Sequence, residues 1–217
     1  MKPFIVAVLA LWLGLVLLLG AAGAFLQPPD TPPLPILIGF LAPLAVFAAA
    51  YMGSSAFRAF VLSADPVLLC TIQAWRAGGM VFLALTAHSI LPGLFAWPAG
   101  LGDIAIGVTA PWIVVALIRR PGFVTGPIFV IWNLLGILDL VVAVSLGALN
   151  SGFVPGLAGE MTTAAMAQLP LVLIPAYLVP LFIMLHLAAL FQARRQAPVV
   201  ELSHRSFESA SAVVSRL

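Results

Sequence analysis

The chain has 217 residues, of which 63% are hydrophobic and 7% are charged. Soluble domains carry about 25% charged residues, so a chain this apolar would expose too much hydrocarbon to water. The composition excludes a water-soluble domain and predicts an all-α, polytopic integral membrane protein. The net charge of +2 comes from scattered arginines rather than a basic face, so nucleic acid is not an expected partner.

Apolar segments long enough to cross a bilayer recur six times, since a crossing takes about 20 residues. The predicted spans are 3–26, 34–57, 66–91, 97–118, 125–149 and 168–192. Asp65 and Pro66 supply a cap and a first-turn proline for the third span. Residues 1–192 are predicted to form a bundle of six transmembrane helices, and residues 193–217 a short polar cytoplasmic tail.

The first span has two interpretations. Lys2, a long apolar run and the segment Ala22-Gly23-Ala24 are similar to a secretory signal with its cleavage site. The apolar run exceeds the 7–15 residues typical of a signal core, which favours a retained helix. Cleavage would leave five spans, with the remaining topology unchanged.

Basic residues flank the spans on one side only. They are Lys2, Arg58, Arg119, Arg120, Arg194 and Arg195. The opposite loops contain Asp30 and Glu160 and no lysine or arginine. Because cytoplasmic loops carry an excess of basic residues, both termini are predicted to be cytoplasmic, in a plasma membrane of the bacterial inner type.

Few polar side chains fall inside the spans. A charge at the bilayer centre costs at least about 2.5–3.5 kcal/mol, so each one is a candidate functional group. The candidate transport or binding residues are Gln73, Arg76, His88, Asp103, Asn133, Asp139 and His186. Cys70 is the only cysteine, which excludes a disulfide and a cysteine-based zinc site, and we expect it to pack as a small hydrophobe. The sequence indicates no metal site and leaves any cofactor unidentified.

Arg76 is the strongest of these candidates. It lies roughly 15 Å along the third span, and helical spacing predicts that Gln73 and Met80 share its face. An arginine at this depth needs a carboxylate, carbonyls or water, and among the carboxylates Asp139 is the first choice and Asp103 the alternative. Arg76 would either lock two helices together through a buried ion pair or serve as an anion site or a gate.

Both aspartates lie on stripes of small residues at helical spacing. The stripe in the fourth span comprises Gly100, Asp103, Gly107 and Ala110, and that in the fifth comprises Asn133, Gly136, Asp139 and Ala143. Small residues allow a neighbouring helix to approach closely. For Asp103 the two alternatives are a packing contact and a titrating acid, whereas Asp139 would act with Arg76 as a gating or substrate-sensing pair.

The histidines are predicted at opposite ends of the bundle, His88 outside and His186 inside, so they would not share a metal or haem. Counting residues along each span predicts a ladder of groups across the bilayer. It begins with His88 and Asp103, continues through Asp139, Arg76 and Asn133, and ends with His186. Such a ladder would exchange protons across the membrane.

Prolines interrupt the sixth span at a regular interval. Pro170, Pro175 and Pro180 recur every five residues, and Tyr177 lies between the last two. A proline removes one helical hydrogen bond, and broken helices line substrate sites in transporters. The sequence predicts a mobile segment over Pro175, Tyr177 and Pro180, with a static kink as the alternative.

The sequence favours a small transporter or channel-like protein that moves a proton or small solute. Arg76→Gln and Asp103→Asn are each predicted to abolish flux with expression intact. The alternative is a non-catalytic subunit that assembles with its own copies or another membrane protein. A third hypothesis is that the protein is an enzyme, since Gly100-Leu-Gly-Asp103 resembles the GxGD motif of intramembrane aspartyl proteases. Their partner motif is YD, whereas Leu138 precedes Asp139 here.

Overall fold

The structure is a computed structural model that describes residues 2–28, 30–154 and 161–214, with side chains for residues 3–28, 30–154 and 161–196. The described residues form eight α-helices. These are α1 (Lys2–Ala21), α2 (Leu34–Gly53), α3 (Ser55–Leu62), α4 (Pro66–Gln73), α5 (Met80–Ala87), α6 (Gly93–Arg119), α7 (Pro127–Leu149) and α8 (Val179–Val214). A 3-10 segment, Ala74–Gly79, joins α4 to α5, and a π-helical turn, Ile174–Leu178, leads into α8.

Six helical segments are long and apolar enough to cross a membrane. They are Pro3–Ala21, Leu34–Gly53, Pro66–Ala87, Gly93–Arg119, Pro127–Leu149 and Ile174–Gln196. The prediction of an all-helical chain with six such segments is confirmed. The backbone of the predicted tail continues α8 as far as Val214, whereas Glu160 lies outside the described residues.

The second span is shorter than predicted, because α3 is a separate helix. Ser54 has extended backbone angles, and its hydroxyl accepts a hydrogen bond from the Phe57 amide at 3.2 Å. Arg58 folds back and donates to the carbonyls of Tyr51 and Met52 at 3.0 and 2.7 Å. These carbonyls belong to the last turn of α2, so Arg58 caps that helix.

The third span changes helix type around Arg76. A 3-10 helix has three residues per turn, so Gln73, Arg76 and Gly79 follow one face, and all three are buried. The prediction that Met80 shares this face is wrong, since its side chain is 63% exposed. Trp75 points away from the bundle, with 81% exposure.

Helix α6 packs directly against this 3-10 segment. A Cβ added at Gly107 would collide with the backbone of Ala77, and one at Gly100 would lie 3.1 Å from the Gly79 carbonyl oxygen. The small residues of the fourth span therefore receive the third span at backbone distance. This contact brings Asp103 beside Arg76.

Apolar contacts flank the polar groups toward both ends of the bundle. Toward the ends that carry Arg58 and Arg119, Cys70 is buried among apolar side chains as predicted, with 1% exposure. Toward the other end, Trp12 of α1 packs on Tyr177, with ring centroids 4.5 Å apart. The Tyr177 hydroxyl donates to the Leu9 carbonyl at 3.3 Å, which ties the π-helical turn to α1.

A buried arginine cluster as the candidate functional site

Arg76 lies at the centre of a buried polar cluster, and its side chain has no solvent exposure. Its Nε donates to Asp103 Oδ1 at 2.7 Å, and its Nη2 donates to Asp139 Oδ2. Its Nη1 lies 3.1 Å from the Gly136 carbonyl oxygen and 3.2 Å from His186 Nε2. The structure therefore pairs Arg76 with both aspartates rather than with one of them.

The contact with Arg76 determines the protonation of His186. A guanidinium only donates hydrogen bonds, so Nε2 of His186 accepts and carries no proton. Nδ1 then carries the proton and donates to Asn133 Oδ1 at 2.9 Å. Asn133 in turn donates to the Phe129 carbonyl at 2.8 Å. His186 is therefore a neutral acceptor that orients the arginine, and protonating it would break their contact.

Gln73 lies one turn before Arg76 but does not contact the guanidinium. Its Nε2 donates to the Phe182 carbonyl of α8 at 3.1 Å. Its Oε1 is buried and has no hydrogen-bond partner among the described residues. Gln73 thus connects the third span to α8 beside the cluster.

Glycines make room for the charged side chains. A Cβ at Gly79 would collide with Asp103, and one at Gly102 would collide with the Asp139 carboxylate. The stripes predicted from helical spacing did not include either glycine. The Gly78-Gly79 pair inside an apolar span was the signal for the first, because glycine in a helix often marks a close approach.

Gly136 is predicted to be intolerant of a methyl group. An alanine Cβ at this position would overlap the His186 imidazole, and overpacking a core costs about 1–3 kcal/mol. We expect Gly136→Ala to unfold at lower temperature, measured by the reaction of Cys70 with a thiol-reactive fluorophore during heating. Gly14→Ala is the matched control, since nothing lies within 4 Å of its Cβ. Equal unfolding temperatures for the two variants would contradict the close packing.

The predicted ladder across the bilayer is wrong. The sixth span begins at Ile174 rather than residue 168, which places His186 in mid-span and in contact with Arg76. Asp103, Asp139, Arg76, Asn133 and His186 form one cluster instead of successive steps. His88 is exposed at the end of α5 and contacts none of them among the described side chains.

The sixth span is broken just before α8, on the N-terminal side of the cluster residue His186. Pro175 is buried in the π-helical turn, and Pro180 is the second residue of α8. Pro170 precedes the helix, so the regular interval of prolines extends outside the span. A π-helical turn is a local departure from α-helical geometry, and such turns are frequent at functional sites.

A cavity of about 120 Å³ leads from the loops at one end of the bundle to the cluster. Polar residues on its loop side are Gln27, Ser151, Thr163 and Gln168. Gln27 Oε1 and Ser151 Oγ are buried without hydrogen-bond partners in the described part of the chain. Asp103 is the charged residue on its wall. The loops at this end are those predicted to lie opposite the basic residues.

With both aspartates ionised, the cluster would have one negative charge more than it has positive charges. Two carboxylates face one guanidinium, and His186 is neutral. Among the described contacts, Asp103 accepts only through Oδ1 and Asp139 only through Oδ2. The Asp103 and Asp139 side chains keep 15% and 16% exposure. Each aspartate therefore has a second oxygen free to accept a proton or a cation.

The geometry of the cluster does not suit three other kinds of site. An aspartyl protease needs two carboxylates that share a proton, whereas the Arg76 guanidinium bridges Asp103 and Asp139, which form no hydrogen bond with each other. Within the described ranges, no three His, Cys, Asp or Glu side chains are grouped closely enough to hold a metal ion. The donors of Arg76 are also largely occupied, which leaves little capacity to bind an anion.

Residues 33–194 match the model of one protein family, described as Domain of unknown function (DUF8737). The matched region runs from the start of the second span to the end of the sixth, and includes every residue of the arginine cluster. No curated protein and no solved structure is significantly similar to the chain.

Proposed function

The chain belongs to the DUF8737 family, and we propose that it is a multi-pass membrane transporter that moves a proton or small cation through the Arg76–Asp103–Asp139 site. The observation that carries this proposal is a cavity that ends at a buried cluster with one excess carboxylate. The protein would reside in a plasma membrane of the bacterial inner type, with both termini cytoplasmic. The basic residues that flank alternate spans support this orientation.

Charge balance supports a cationic cargo. An uncompensated charge in an apolar interior is costly, and a proton or a monovalent cation on either aspartate would make the cluster neutral. Arg76 is held by two carboxylates, a carbonyl and an imidazole, so it remains charged in both states. The group that changes state is therefore a carboxylate, and Asp103 is the one on the cavity wall.

Access to the site differs between the two ends of the bundle. The cavity reaches Asp103 from the end of the bundle where residues 22–28, 30–33, 150–154 and 161–168 lie. Toward the other end, apolar side chains including Phe129, Trp132 and Ala189 are packed beyond the cluster. Release to that side requires a change of packing. Pro175 lines the cavity and belongs to the π-helical turn before α8, which makes this segment the proposed mobile element.

The alternative function is a subunit that assembles with another membrane protein through its small-residue stripes. That role requires stripes that face outward. Gly100, Gly107 and Gly136 are buried instead against other helices of the same chain. The small residues are thus used inside the bundle, which favours the transporter.

Proton flux into proteoliposomes tests the proposal. A pH-sensitive dye in the lumen should report flux driven by an imposed membrane potential for the wild-type protein. Asp103→Asn should reduce this flux at least about tenfold, because the amide no longer exchanges a proton. Asp30→Asn makes the same chemical change on an exposed loop and should leave flux unchanged. Wild-type flux of neither protons nor radiolabelled methylammonium, a small cation, above that of empty liposomes, or full flux in Asp103→Asn, would refute the proposal.

A further inference from the structure

The cavity restricts the kind of cation that the site accepts. We propose that it binds a small organic ammonium ion, with a hydrocarbon body about the size of benzene or smaller and its nitrogen at Asp103. This inference rests on the proposed function, since it names the cargo of the same site. Size, wall chemistry and charge each contribute to it.

The volume of the cavity indicates the size of the hydrocarbon body that it holds. The cavity measures about 120 Å³. An engineered protein cavity of about 150 Å³ lined by apolar side chains binds benzene. A cation with roughly four to six heavy atoms therefore fills the space.

The walls are unsuited to an inorganic cation. Phe82 and Phe95 are 3% and 4% exposed, and their rings meet edge to face with centroids 5.3 Å apart. Leu140, Met166 and Val179 add further hydrocarbon. A metal cation such as Ca²⁺ or Mg²⁺ needs about six oxygen ligands, usually with several carboxylates, and Asp103 is the one carboxylate of the described lining. An alkyl group, by contrast, gains free energy on leaving water for such a surface.

The charge is placed to receive the ammonium group. Asp103 Oδ1 is bound to Arg76, so Oδ2 remains as the acceptor. Aromatic rings near a cation attract it further, and both phenylalanines line the same cavity as the carboxylate. A bound ammonium ion would neutralise the excess charge of the cluster, as a proton does.

The proton and the ammonium ion therefore compete for one negative charge. The charged groups that face Asp103 are Arg76 on the third span and Asp139 on α7, with His186 of α8 behind the arginine. Acidification protonates the aspartates and removes the excess charge. Ammonium affinity is expected to fall as the pH is lowered.

Calorimetric titration of the purified full-length protein in mild detergent tests the inference. The probes are n-butylammonium, n-butanol and n-butyrate, which share a hydrocarbon body and differ in charge. We expect saturable binding of n-butylammonium, at least about tenfold tighter than that of the alcohol and undetectable for the carboxylate. Equal affinity for the ammonium and the alcohol, or preference for n-butyrate, would overturn the inference.

Two cavity variants show where the probe binds. Ala143→Ile fills the cavity without changing a charge and should weaken n-butylammonium binding at least about tenfold. Ala105→Ile makes the same change on the exposed side of α6 and should leave binding unchanged. Unaltered binding in Ala143→Ile would also overturn the inference. Failure of ammonium binding with intact proton flux refutes the cargo alone, whereas absence of both proton flux and small-cation flux refutes the proposed function.

Discussion

Replacing Arg76 with glutamine is expected to be the most destabilising single substitution in this protein. The change leaves the Asp103 and Asp139 carboxylates beside each other without a counter-charge. Removing one partner of a buried ion pair costs about 3–5 kcal/mol, because the remaining charge stays buried and uncompensated. The sequence alone predicted that Arg76→Gln would keep normal expression, and the contacts with both aspartates reverse that expectation.

Thermal unfolding in detergent measures this effect. Cys70 is 1% exposed and is the only cysteine, so its reaction with a thiol-reactive fluorophore reports loss of packing. Arg76→Gln should react at a much lower temperature than the wild type. Arg119→Gln, a change at an exposed arginine, should shift unfolding little because exposed charges contribute at most about 1 kcal/mol. Similar shifts in the two variants would contradict the arginine's central role.

Two further variants at this site separate the effect of the Arg76 charge from the effect of its planar shape. The double variant Arg76→Gln/Asp103→Asn removes one carboxylate with the arginine and should recover part of the lost stability. Arg76→Lys keeps the charge, but a compact ammonium lacks the planar fork that reaches Asp103, Asp139 and Gly136 together. Its stability should lie between those of wild type and Arg76→Gln.

His186→Leu is expected to give the second-largest loss of stability. The substitution leaves Arg76 Nη1 with only the Gly136 carbonyl and removes the donor to Asn133 Oδ1. Losing a hydrogen bond to a charged group costs about 1.5–3 kcal/mol, and an orphaned buried acceptor adds to that cost. The same Cys70 reactivity assay provides the measurement.

His88→Leu is the matched control for this substitution. His88 is exposed at the end of α5 and lies outside the cluster. We expect its replacement to leave the unfolding temperature within about 1 °C of wild type, because surface substitutions away from special features are nearly neutral. If His88→Leu were as destabilising as His186→Leu, the assignment of His186 to the arginine cluster would be wrong.

Sequence reasoning identified the members of the site better than their arrangement. Gln73, Arg76, Asp103, Asn133, Asp139 and His186 were all recognised as polar groups within apolar spans. Arg76 was expected to have a carboxylate partner, because an unpaired charge at that depth is costly. The second carboxylate and the imidazole were not expected together. His186 was predicted near the inner end of the bundle because the predicted sixth span began at residue 168, six residues before its start at Ile174 in the structure.

The spacing of residues in the sequence also did not reveal that the third span changes from α-helix to 3-10 helix. A 3-10 helix turns every 3.0 residues and an α-helix every 3.6, so the two assign different residues to a buried face. This difference moved Met80 outward and Gly79 inward. The separate helix α3 was missed for a related reason, since hydropathy alone does not distinguish a turn at Ser54 from a continuing span.

The sequence by itself determined six apolar helical segments and the polar residues within them, because the free energy of transferring each side chain from water depends on local composition. Tertiary structure decided that Arg76 bridges two aspartates, that His186 accepts from it, and that a cavity ends at Asp103. These contacts depend on the rotation and relative depth of helices far apart in the chain. Both are set by packing at glycines such as Gly79, Gly102 and Gly136, where neighbouring side chains fill the space that a Cβ would occupy.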